Sequence, residues 1–160
     1  GEVFLNPSGA VHAIGKGVFL VEIQQSSGIT YRVWDWNRVP QRPLHIAQAL
    51  RCLDFRRTTR EDYLRLPRPV AEHTERILDH FYFTVDRVSL PPGGHLERHL
   101  GSSFEIVTCL EGRAELSCEA GEESLSRGES LLVPAAVRSY RIAAAEGATL
   151  LASFVRRPWA

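Results

Sequence analysis

Hydrophobic and polar positions along the chain fall into three regimes. In the first, GVFLVEIQQ (17–25) and ITYRVWDW (29–36) alternate and are rich in β-branched and aromatic residues, with Ser26, Ser27 and Gly28 between them. That pattern predicts a hairpin closed by a short Gly-containing loop. A three-residue loop sets Glu22 opposite Arg32 and Gln24 opposite Thr30. The second regime begins after Pro40 and Pro43, where LHIAQALRCLDF (44–55) has apolar residues at Leu44, Ile46, Ala49, Leu50 and Leu53, the spacing of one helix face. RRTTREDYLRLPRPVAEHTER (56–76) is polar and interrupted by Pro67 and Pro69, so it reads as a connecting segment over the surface. From about Phe81 onward, short strand-like runs are separated by PPGG, EG, AGEE, RGE and AEG, which predicts a compact antiparallel sandwich or barrel.

The two β-rich regions are related to each other. GEVFLNP at residues 1–7 recurs as GESLLVP at residues 128–134, with Gly, Glu, Leu and Pro in step. In the second copy, FEIVTCLEG (104–112) places six residues between Glu105 and Gly112, upstream of Gly128 and Pro134. Glu-x6-Gly followed by Gly-x5-Pro resembles the two motifs of the cupin superfamily, jelly rolls that hold a metal among His and Glu side chains. The implied fold is mostly β: one near-complete C-terminal cupin barrel plus the closing half of a metal-binding cupin, joined by a short helical segment. The expected boundaries are 1–43 for the C-terminal half of the metal-binding cupin, 44–77 for helix and linker, and 78–160 for a degenerate C-terminal barrel.

Composition narrows the function classes. A chain of 160 residues, 44% of them hydrophobic, buries a core without a metal staple. Lys+Arg and Asp+Glu balance at 19 each, and all the basic residues but Lys16 are Arg, so no net field draws the protein to nucleic acid or to a membrane surface. Cys52, Cys109 and Cys118 lack metal-type spacing, and no apolar run has the length of a membrane span or the form of a secretory signal. The expected compartment is the cytosol, with reduced thiols.

The resemblance sharpens along PSGAVHAIGKGVFLVEIQQSSGITYRVWDWNR (7–38) followed by RPLHIAQAL (42–50). HAI, EIQQSS, TYRVWDW and LHIAQAL in that order resemble the type I phosphomannose isomerases, zinc-dependent enzymes that interconvert mannose 6-phosphate and fructose 6-phosphate. The resemblance covers nearly the whole chain and implies roles residue by residue. His12, in the fourth-ligand position of the cupin pattern, would be a Zn²⁺ ligand, Arg32 a catalytic residue, and Glu22 an acid lining the pocket. The remaining ligands would lie upstream of Gly1, in an N-terminal half of the same protein, so the 160-residue chain alone is expected to be inactive. Family members commonly carry Asp where this chain has Gly28. Lys16 and Arg38 are candidates for the substrate phosphate on charge alone. The alternative is a non-catalytic cupin module that binds a sugar or stabilises a partner.

The second barrel offers His95, His99 and Glu105, but the spacing is not that of a metal-binding first motif. Glu97 and His99 occupy the His-x-His positions, and five residues separate His99 from Glu105. Ser139 stands where His12 stands in the first copy. This barrel is therefore expected to be structural, closed and without metal. Tyr31, Trp34 and Trp36 read as packing residues.

Overall fold

The structure, a computed structural model, describes residues 1–155. These form two compact units, Glu2–Leu64 and the part from Arg65 onward.

The first unit holds little regular structure. Strand β1 (Val3–Phe4) is followed by a long irregular stretch, helix α1 (Ile46–Cys52), the single-turn helix α2 (Arg60–Tyr63), and β2 (Leu64–Arg65), with which β1 pairs. The expected hairpin is absent, for no residue between 17 and 36 lies in a strand. Two strands alone are marginal in water unless an apolar face packs against a further layer. Here that face is uncovered: Phe19 is 83% and Ile29 71% exposed. Trp34 and Trp36, expected to pack, are exposed as well. Helix α1 does form where its periodicity predicts, and it buries Ala49.

Residues 56–76 are more ordered than a plain connector. In α2, the Thr59 N–H donates to the Asp62 carboxylate at 2.7 Å, satisfying the helix start from within the segment. Strands β3 (Arg68–Ala71) and β4 (Thr74–Asp79) then pair, so the second unit begins ahead of the expected boundary at residue 78. Pro69 does not prevent this, because β3 is a terminal strand of its sheet, and a missing N–H on an edge leaves no ladder bond unmade.

The second unit continues with β5 (Thr84–Leu90), β6 (Gly94–His99), β7 (Glu105–Cys118), β8 (Gly121–Ser126), β9 (Ser130–Val133), β10 (Ser139–Ala144) and β11 (Ala148–Phe154). Strand order is β3-β4-β5-β11-β7-β10-β6, with β8 and β9 also paired to β7. The path is antiparallel and curls into a jelly roll. Its two terminal strands, β3 and β6, do not pair with each other among the described residues, so the expected closure is not made by backbone hydrogen bonds. Both copies of the repeated heptapeptide contain a strand, β1 and β9.

Strand β7 joins the two faces. Its first half pairs with β9 and β11, and its second half with β8 and β10. Between the halves the register to β11 shifts, Thr149 facing Glu111 and Leu150 facing Cys109, so Leu110 is the extra residue of a bulge that bends the strand. Val88, Val107, Ile142 and Leu150 are fully buried between the faces. Full burial of each such side chain stabilises by roughly 1.5–3 kcal/mol. The Gly of the Glu-x6-Gly motif has a steric reason: Gly112 has φ +74°, and a Cβ there would lie 2.2 Å from the Gly147 carbonyl oxygen. Gly112→Ala should therefore cost at least about 1–3 kcal/mol, from the strained φ and the backbone displacement together. Urea unfolding checks this, and a midpoint unchanged from wild type would contradict it.

Candidate functional site

In the first unit, His12 is positioned by the Pro7-Ser8-Gly9 turn. The Ala10 N–H donates to the Pro7 carbonyl at 3.1 Å, and Gly9 adopts φ +89°. A Cβ on Gly9 would come within 2.7 Å of the Cys52 carbonyl oxygen. Nδ1 of His12 donates to the Ala10 carbonyl at 3.0 Å. That bond puts the proton on Nδ1 and leaves the Nε2 lone pair outward, the arrangement a metal-bound imidazole uses. One such donor is not a zinc site, which takes three or four protein ligands. Among the described residues no group of three or more His, Cys, Asp or Glu is placed to hold a metal.

Arg32 is the best-fixed of the three residues singled out from sequence. Its backbone N–H donates to His45 Nδ1 at 3.2 Å, and its carbonyl accepts from the His45 N–H at 2.8 Å. Its Nη1 donates to the Pro43 carbonyl at 3.3 Å, while Nε lies 3.5 Å from Asp35 Oδ1. Glu22 is exposed and, among the described residues, makes no hydrogen bond or ion pair, so the expected pairing across the hairpin is not formed. Lys16 and Arg38 are exposed, and Gly28 faces open space.

The group that organises this region is Asp35, in the TYRVWDW run but given no role from sequence. It is buried, accepts from the Arg42 backbone N–H at 3.0 Å and Nε at 2.9 Å, and pairs also with Arg42 Nη2. The Arg42 side-chain hydrogen bonds, with its backbone bond next, hold the Asp35 carboxyl at about 2, below its ordinary 3.8.

The second barrel has its own polar centre. On β6, Leu96 and Arg98 turn inward while His95, Glu97 and His99 face out, so the two histidines do not join Glu105 in the interior. Glu105, 1% exposed, takes Arg98 Nε at 3.0 Å, Arg98 Nη2, and the Tyr140 hydroxyl at 2.5 Å. Tyr140 sits directly opposite Arg98 in the β6–β10 register, which puts both side chains on one face. Asp86 accepts from Arg76 Nε at 2.9 Å and faces Arg98 Nη2 at 3.5 Å. The Arg76 and Arg98 guanidiniums lie 5.9 and 5.8 Å from the centre of the Phe154 ring. Burial, then the charge of Glu105 and its hydrogen bond, push the Tyr140 hydroxyl up, so it stays a donor. Burial opposes charge on Arg98, but the Glu105 hydrogen bond and charge outweigh it and raise its affinity for the proton. Arg98 and Tyr140 were not singled out from sequence. The signal is the two-residue alternation of β6, readable once it is known which face points inward.

A jelly roll whose bulged central strand carries Glu105 and Gly112 in this way defines a cupin. The described barrel matches the family model for the mannose-6-phosphate isomerase cupin domain over residues 74–154, and the chain belongs to that family. It is 30% identical over 145 residues to a mannose-6-phosphate isomerase of Streptococcus mutans, covering 88% of this chain and 45% of that protein. It is 25% identical over 146 residues to mannose-6-phosphate isomerase ManA of Bacillus subtilis, covering 89% of this chain and 46% of that protein. The chain thus spans a little under half the length of these curated relatives. Among solved structures, KdgF from Halomonas sp. superposes with a TM-score of 0.47 at 16% identity, over 57% of this chain and 86% of that chain.

Two outcomes follow from this geometry. A carboxyl lowered to about 2 on folding, from 3.8, adds stability that is fully present above about pH 4 and lost as pH falls through about 2. The stability difference between the wild-type chain and Asp35→Asn should therefore shrink across that window, and a difference independent of pH would contradict it. Tyr140→Phe should destabilise by about 1.5–3 kcal/mol, the typical worth of a hydrogen bond to a charged group. Urea unfolding at neutral pH measures it.

Proposed function

We propose that this chain is a portion of a zinc-dependent aldose–ketose isomerase that interconverts mannose 6-phosphate and fructose 6-phosphate, with residues 1–43 carrying one side of its active site. The observation that carries this reading is the match to curated mannose-6-phosphate isomerases across 88–89% of the chain, which takes in most of the first unit as well as the barrel. The Nδ1 anchoring of His12 and the four-point fixation of Arg32 support it. In this reading the first unit is covered by preceding chain that supplies the other metal ligands. The exposed apolar side chains between Val11 and Trp36 are consistent with that, since Ala49 is the one buried apolar residue of this unit among those described. Substrate is the sugar phosphate, and the free thiols at Cys52, Cys109 and Cys118 suit a reducing cytosol.

The reaction moves a proton between C2 and C1 through an enediolate, and its difficulty is the negative charge that develops on the carbonyl oxygen. Zinc, held partly by His12, would supply Lewis-acid polarisation of that oxygen. Arg32 presents an always-charged planar donor set, already oriented by Asp35 and Pro43, toward the same charge. Glu22, exposed and unengaged among the described residues, is free to carry the proton or to orient substrate.

The test is made on the intact protein. Arg32→Ala should lower the turnover number by roughly 10²–10³, the usual effect of removing one such donor, with a comparatively small change in KM. Arg32→Lys should recover part of that rate. His12→Ala should lower the zinc bound per chain. Wild-type turnover in a destabilised Arg32→Ala protein would remove Arg32 from the chemistry. An intact protein without isomerase activity, yet with unaltered folding, would favour the non-catalytic module instead.

A further inference from the structure

The second barrel contains a charged donor that none of its internal contacts uses. Arg98 spends Nε and Nη2 on Glu105 and Asp86, and among the described residues Nη1 has no hydrogen-bond partner. No buried side-chain nitrogen or oxygen in the described residues lacks a partner, so this nitrogen is reached by solvent. Arg98 lines a cleft of about 200 Å³, together with His99, Ser102, Ser103, Glu105 and Phe154.

The unspent groups of the cleft are of one kind. Both oxygens of Glu105 are already taken, Oε1 by Arg98 and Oε2 by Arg98 and Tyr140. The Ser103 hydroxyl is committed, donating to the Phe104 carbonyl at 2.9 Å and accepting from the Val155 N–H at 3.3 Å. What remains is Arg98 Nη1 and the Ser102 hydroxyl, neither of which has a hydrogen-bond partner among the described residues, while the His99 side chain faces the other side of β6. The two arginines of the cluster balance Asp86 and Glu105, so an incoming negative charge meets no uncompensated carboxylate. A preorganised guanidinium edge flanked by a hydroxyl, at the rim of a low-dielectric interior, fits the oxygens of a planar or tetrahedral oxyanion.

We propose that this cleft is a binding site for a small oxyanion, a phosphate or carboxylate group, with Arg98 Nη1 as its charged anchor and the Ser102 hydroxyl as a flanking donor. The site belongs to the second barrel alone, and it stands or falls independently of His12, Arg32 and the isomerase reading.

The test uses the full 160-residue chain, labelled with ¹⁵N and titrated at constant ionic strength with inorganic phosphate, with acetate, and with chloride as the control. Phosphate should produce saturable shifts of the Gly101, Ser102 and Ser103 amides that chloride does not. Saturation by acetate too assigns the site to oxyanions generally, while saturation by phosphate alone assigns it to phosphate. Arg98→Lys keeps the charge but loses the free edge of the fork, and should weaken the phosphate Kd about tenfold, the equivalent of one charge-assisted hydrogen bond. Because that variant disturbs a buried pair, Ser102→Ala, at an exposed position, serves as the independent check and should weaken binding with an unchanged melting temperature in phosphate-free buffer, whereas His99→Ala, on the opposite face of β6, should leave the phosphate Kd unchanged. Shifts that fail to saturate, that chloride reproduces, or that survive Ser102→Ala unchanged would overturn the proposal.

Discussion

Burying the Glu105 carboxyl is the constraint around which the barrel is arranged. A carboxyl taken out of water without partners costs several kcal/mol, and breaking a buried pair by removing one member typically costs about 3–5 kcal/mol. Glu105 opens β7, the strand shared by both faces, so its partners must arrive from two other strands at once. Arg98 comes from β6 and Tyr140 from β10, and they meet Glu105 only in the register that sets them opposite one another. A slip of one residue would turn Arg98 out and bring His99 in, leaving the carboxyl without its cation. The ion pair thus specifies alignment more than it adds stability, since apolar residues of similar volume could fill the same space at comparable free energy.

Asp35 applies the same rule in a different setting. It too is a buried carboxylate held by arginine, but its partners lie within a few residues of it in the chain. Local partners organise a loop without needing a sheet, which is why Arg32, Asp35 and Arg42 are fixed although the apolar residues around them are not covered. One unit is built from long-range register with an apolar core. The other is built from short-range polar contacts, with its hydrophobic surface left outward.

How much of this was legible in the sequence follows from the range of the interactions. Helix α1 is a local event, and the spacing of Ala49 and its neighbours was enough to find it. The barrel was legible through Glu105 and Gly112, because a bulge beside a carbonyl that admits no Cβ leaves a fixed Gly in the motif. The hairpin over 17–36 failed because alternation describes a strand that has somewhere to pack, and among the described residues its apolar side chains are left exposed. The strand at Arg68–Ala71 was missed because Pro67 and Pro69 read as breakers, whereas Pro on an edge is harmless. At the candidate site, His12, Glu22 and Arg32 came from a motif. Asp35, Arg42, Arg98 and Tyr140 act through partners whose identity depends on three-dimensional proximity, which single-chain spacing does not encode.

The position of β11 has a consequence for how the molecule is made. Ala148–Phe154 lies between β5 and β7, at the middle of the sheet, yet it is the last strand of the described chain to leave the ribosome. Until it emerges, β5 and β7 each carry an unpaired ladder of backbone groups beside the side chains destined for the core, the kind of edge that recruits other chains. The nascent barrel is thus a sheet with its central strand missing, its two flanking edges left open until Ala148–Phe154 inserts between them.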